Sequence, residues 1–213
     1  MRADATTRVL LGCGIVARPV FVATFLAEGP TAPTTTRCAT VSSLALGPRG
    51  RVQSANFVLT GALCAASAVG LWRTAHRPAV ATVLIGAAGL GLEGSGVCVT
   101  DPVSGYSPGT PDARAGYSGT TAALHDAIAV PIFLGLPAGH GDRRHGTRGG
   151  PAGACVRWSS GAALVTATFA GAGAGFAQHP TFVRLGGLYQ RVCVSIAFAW
   201  LTTLLLRTRR AAS

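Results

Sequence analysis

The chain contains no lysine, and its 18 basic residues, all arginine, face only seven acidic ones. Charged side chains fill 12% of 213 positions and apolar ones 49%. A water-soluble domain of this size would lack the polar groups needed to cover its surface. The six cysteines (Cys13, Cys38, Cys64, Cys98, Cys155 and Cys193) include no C-x-x-C pair, which excludes a zinc ribbon or a dithiol redox motif. They read as small apolar fillers, with Cys38 and Cys98 the two that could meet as a disulfide. No H-x-x-x-H or H-E-x-x-H spacing occurs, so no metal is expected, and no cofactor. A net charge of +11 would suit nucleic acid, but the arginines cluster between long uncharged runs instead of spreading over a face with aromatics to stack on. No nucleic acid is expected as a partner.

In place of charge the sequence has long apolar runs. Six segments of roughly 20 residues, the length that crosses a bilayer as a helix, cover 9–27, 55–72, 79–99, 121–138, 156–177 and 185–206. The predicted fold class is all-α: a single domain over 1–213, an integral membrane bundle of six transmembrane helices. The connections DPVSGYSPGTPDARAGYSG (101–119) and GHGDRRHGTRGGPAG (139–153) are rich in Pro, Gly, Ser and charge and read as loops. Pro131, inside the fourth span, predicts a kink. The string LLGC at Leu10–Cys13 imitates a lipoprotein cleavage box, but only Val9, Leu10 and Leu11 precede Gly12 as apolar residues, short of the roughly 7–15 of a signal h-region. The first span is therefore read as uncleaved.

Arginine placement sets the orientation. Arg2, Arg8, Arg73, Arg77, Arg143, Arg144, Arg148, Arg157, Arg207, Arg209 and Arg210 fall on the side of the termini, against Arg37, Arg49, Arg51, Arg114 and Arg184 on the other. Positive residues stay inside, so the chain is read as a multi-pass protein of the cell membrane with both termini cytoplasmic. Aromatic residues give the same orientation, with Trp72, Trp158 and Trp200 near the inner helix ends and Tyr106, Tyr117 and Tyr189 near or beyond the outer ones.

Two glycine strings imitate dinucleotide fingerprints: Gly12, Gly14 and Ala17, and Gly89, Gly91 and Gly94. Both lie inside apolar spans, without the strand and downstream acid the fingerprint needs. They predict close helix packing instead, as do GAAGLGLEGSG (86–96) and AGAGAGF (170–176).

Ionisable groups inside spans are more informative, since each costs about 2.5–3.5 kcal/mol at mid-membrane unless paired or hydrated. Glu93, His125, Asp126 and Arg191 fall at similar depth in the outer half of their spans. Gln53 and Asn56 open the second span at that level, Thr100 and Asp101 close the third, and Gln190 precedes Arg191. Together they predict a polar layer. Its structural explanation is buried pairing, Glu93 with Arg191 or Asp126 with Arg18, and helix capping by Asp126. Its chemical explanations are a metal held by His125 and His179, or a triad of Ser42 or Ser43 with His125 and Asp101.

The strings SSLALGPRGRVQSANF (42–57), VTDPVSGYSPGTP (99–111), TTAALHDAIAVPIFLGLPA (120–138) around His125, and LYQRVCVSIAFAWL (188–201) resemble the bacterial membrane family catalogued as domain of unknown function 998. The resemblance covers nearly the whole chain. It implies a six-helix integral membrane protein and no particular activity, and it singles out Ser43, Gln53, Asn56, Asp101, His125, Gln190 and Arg191 as motif positions. Arg51 and Val52 stand where members usually carry an aromatic ahead of the Gln.

Two functions fit these features. The favoured one is a non-catalytic component or small permease, with membrane lipids as partners and intramembrane charges that line a path or fix packing. The other is a membrane-embedded enzyme acting on a lipid or envelope substrate at the outer leaflet, with His125 as base or ligand and Asp101 or Glu93 as its partner.

Overall fold

Asp4 opens the first helix. Its Oδ1 accepts the backbone N–H of Thr7 at 2.7 Å, the bond of an N-terminal cap. Helix α1 (Ala5–Glu28) therefore starts four residues before the apolar run at Val9, because the cap and not hydropathy decides where helical bonding begins. The computed structural model describes residues 4–28, 40–74, 79–102, 117–138 and 150–211. Among these, five further helices follow: α2 (Gly50–Trp72), α3 (Ala79–Val97), α4 (Thr120–Ala138), α5 (Gly150–Phe176) and α6 (Gly186–Ala211). A short 3-10 turn, Ser42–Leu46, precedes α2.

Each predicted span falls on a helix, with shifted ends. Helix α2 begins at Gly50, so Gln53 is inside the helix and not ahead of it. Helix α4 continues through Pro131. Four helices, α1, α2, α3 and α6, are long and apolar enough to cross a membrane; the described apolar stretches of α4 and α5, Thr120–Phe133 and Ser160–Phe176, are shorter.

The packed pairs α1–α2, α2–α3, α3–α4, α5–α6 and α1–α6 run antiparallel. Phe21 of α1 meets Phe57 of α2 and Phe198 of α6, with ring centroids 5.6 and 5.1 Å apart, and this cluster joins Leu11, Leu71, Leu201 and Leu205 in the core. Helix α3 packs on α2, α4 on α3, and α5 on α6; α4 and α5 touch only sparsely. The outer faces are as apolar as the core: Val80, Val83, Leu90 and Val97 form an exposed row on α3, and Val58, Leu59 and Val69 are exposed on α2. Such a surface belongs in hydrocarbon. On α6, Thr202, Thr203 and Thr208 meet their hydrogen-bonding needs locally by donating to carbonyls one turn back.

The glycine strings lie at helix seams. A Cβ at Gly61 would stand 2.6 Å from Gly89 O and 2.7 Å from Glu93 Cγ, so only glycine lets α2 and α3 approach this closely. No strand occurs among the described residues, which leaves the dinucleotide fingerprint without its setting. At the end of α5 the chain reverses through Gln178, whose φ of 62° is left-handed, and His179 N–H closes the turn on Ala174 O at 3.0 Å.

Candidate functional site

The helix ends opposite the termini carry the polar groups. Here the exit of α3 is tied to the entry of α4 by Asp101, a buried carboxylate that accepts Ser118 N–H at 2.8 Å and the Ser118 hydroxyl. That junction brings the first turns of α4 under Cys98. His125 Nδ1 lies 2.5 Å from Cys98 O, and its Nε2 lies 3.0 Å from Ser42 Oγ in the 3-10 turn. A carbonyl oxygen can only accept, so Nδ1 carries the proton. Nε2 then presents its lone pair, and the Ser42 hydroxyl donates to it.

Ser42 is held from the other side. Thr40 Oγ1 accepts Ser43 N–H at 2.8 Å and sits 2.7 Å from Ser43 Oγ. Val41 N–H donates to Gln190 Oε1 of α6 at 2.6 Å. Because a backbone N–H requires an acceptor, that bond fixes which end of the Gln190 amide is oxygen and leaves its NH2 group for other partners.

These residues surround a cavity of about 390 Å³ between α4 and α5. One end is polar, lined by Thr40, Ser42, Thr100, His125, Asp126 and Gln190. The other is apolar, lined by Ala129, Val130, Phe133, Phe169, Ala172 and Phe176 with Gly173. The Phe133 and Phe169 rings stack at 4.8 Å within it. Val130, Phe169 and Gly173 are exposed, so the cavity has a side opening on the helix surface.

The predicted layer divides into groups. His125, Asp126 and Gln190 share the cavity, and Ser43 adjoins it through Thr40. Asp126 accepts the Tyr117 hydroxyl at 3.0 Å. Gln53 and Asn56 are buried on the α1 side of α2 instead: Asn56 Nδ2 donates to Phe21 O and to Gln53 Oε1, each at 3.3 Å, and Thr60 donates to Asn56 Oδ1 at 3.4 Å. The Phe57 ring lies between Phe21 and His125, its centroid 5.6 Å from the one and 6.4 Å from the other. Glu93 lies against Gly61, and Arg191, buried, donates to Gly187 O of its own helix at 3.0 Å. The ion pair among the described residues joins Asp4 and Arg73 at 2.9 Å, not Glu93 with Arg191 or Asp126 with Arg18.

Asp101 does not complete a triad, since its oxygens are engaged by Ser118 and the imidazole is oriented by the Cys98 carbonyl. His179 stands in the α5–α6 turn, accepting Thr181 N–H at 3.3 Å, and no cluster of three metal-ligating side chains occurs among the described residues. Cys98 has a free thiol, and Cys38 lies outside the described residues. Thr100, placed in the polar layer with Asp101, lines the cavity, whereas sequence reasoning missed Thr40 and the phenylalanines. The phenylalanines carry no signal that separates them from other apolar positions.

A family model described as "Protein of unknown function (DUF998)" matches residues 15–207. The chain belongs to that family. No curated protein and no solved structure matches it. The region matched to DUF998 includes every residue of the cavity, from Thr40 to Gln190.

Proposed function

We propose that this DUF998 chain crosses the cell membrane six times with both termini in the cytoplasm, and that its α4–α5 cavity takes up a membrane lipid from the outer leaflet. The observation that carries this is the polarity gradient of the cavity: hydroxyl, imidazole, carboxylate and amide groups at one end, phenylalanine and aliphatic walls at the other, with a side opening at Val130, Phe169 and Gly173. A volume of about 390 Å³ lies within the roughly 300–1,000 Å³ of small-ligand sites. An amphiphile fits both ends at once, headgroup against His125, Asp126 and Gln190 and hydrocarbon against Phe133 and Phe169. The excess of arginine on the side of the termini supports the orientation, and the apolar outer faces of α2 and α3 support the bilayer setting.

Gly173 gives a clean test, because a Cβ added there meets nothing within 4 Å. Gly173→Phe fills the cavity without disturbing the backbone. Native mass spectrometry from mild detergent is expected to show a lipid retained by the wild type and absent from Gly173→Phe. Equal retention by both, or by neither, would defeat the proposal.

A further inference from the structure

Ser42 and His125 line the same cavity, and their geometry has a direction. The Cys98 carbonyl fixes the Nδ1 proton, Nε2 is the free base, and the Ser42 hydroxyl is already aimed at it at 3.0 Å. This is the contact by which a base activates a serine, with the base oriented by a third group. A hydroxyl needing only a structural bond has a cheaper solution, shown by Thr168 and Thr202, which donate to carbonyls of their own helices. Resting on the lipid-binding proposal above, we infer that Ser42 is a nucleophile and His125 its general base, and that the cavity acts on the ester of a long-chain acyl lipid.

The step balances without an added oxidant or reductant. Ser42 Oγ attacks the ester carbonyl carbon as Nε2 takes the hydroxyl proton. The carbonyl electron pair moves to oxygen, then returns as the bond to the alcohol oxygen breaks, and that alkoxide leaves with the proton from Nε2. Water, or the hydroxyl of a second lipid, attacks the acyl-serine in the same way and restores Ser42. The product is a free acid with water, or a new ester with an alcohol. Negative charge on the carbonyl oxygen needs a donor. The Gln190 NH2 group, left over from the Val41 bond and in the cavity wall, is available for it.

The test uses two fluorophosphonates, reagents that phosphonylate a base-activated serine with loss of fluoride: one with a hexadecyl chain, one with an ethyl group. The full chain in mild detergent is expected to be labelled at Ser42 by peptide mapping, faster by the hexadecyl reagent. Labelling vanishes in Ser42→Ala. In His125→Gln, which keeps a hydrogen-bonding side chain but no base, the rate falls by about 100-fold or more, the lower end of what a general base supplies. Gly173→Phe slows the hexadecyl reagent and spares the ethyl one. Retained lipid with no labelled serine overturns the nucleophile and leaves the lipid-binding proposal standing. Ethyl labelling of Ser42 with no retained lipid does the reverse. Labelling that survives His125→Gln unchanged in a folded protein overturns the role of His125 as base.

Discussion

Val41 and Gln190 are 149 residues apart in sequence and joined at 2.6 Å, backbone N–H to side-chain oxygen. Both are buried. The bond fastens the 3-10 turn that carries Ser42 to the second turn of α6. Gln190→Leu leaves Val41 N–H buried without an acceptor, a loss of about 1–3 kcal/mol. Denaturant unfolding in detergent is expected to show it, with a smaller loss for Gln190→Glu, which keeps an acceptor.

The α2–α3 seam predicts a contrast between two glycines. Gly61→Ala drives a methyl towards Gly89 O and Glu93, and overpacking of this kind costs about 1–3 kcal/mol. Gly173→Ala meets open space on α5 and gains up to about 1 kcal/mol of helix propensity. Opposite shifts in thermal midpoint are the expected result, and equal shifts would contradict the packing described here.

Asp4 predicts a pH dependence. Hydrogen bonds from the Thr7 side chain and backbone, then from Arg73, hold its carboxyl at about 2 against an ordinary 3.8. Its folded value is the lower one, so the charged form stabilises the fold above 3.8, and this contribution fades as pH falls through about 2. The difference in unfolding midpoint between wild type and Asp4→Asn, which keeps the cap but not the charge, is expected to be steady above pH 4 and to vanish towards pH 2. Asp4 is exposed, so the difference is small and salt-sensitive.

Orientation has its own check. A membrane-impermeant thiol reagent applied to intact cells is expected to modify a cysteine placed in the α3–α4 connection and to spare one placed after Arg210. The opposite pattern inverts the proposed topology.

Hydropathy and breaker residues made the helices legible, since an apolar run of spanning length has few other uses. They placed the starts of α3, α4 and α6 to within a residue and missed those of α1 and α2. Asp4 and the segment around Pro48 set those through hydrogen bonding, which polar residues such as Arg51 and Gln53 do not interrupt. The depth of the polar layer was legible too, but not its partition. Depth follows from position along a helix, whereas the separation of Asn56 from His125 depends on helix rotation, and rotation is set by packing at Gly61, Gly91 and Phe57. The Ser42–His125 contact was one of several serine pairings open in the sequence. The Cys98 carbonyl was invisible, because a backbone oxygen carries no residue signature.

Arg18 stands exposed at the middle of α1, beside Pro19 and away from the bundle. In the proposed six-span topology this places a guanidinium beside hydrocarbon, a costly setting unless water or headgroups reach it. That topology therefore implies that water and phosphates dip towards Arg18, pinching the bilayer along one edge of the molecule.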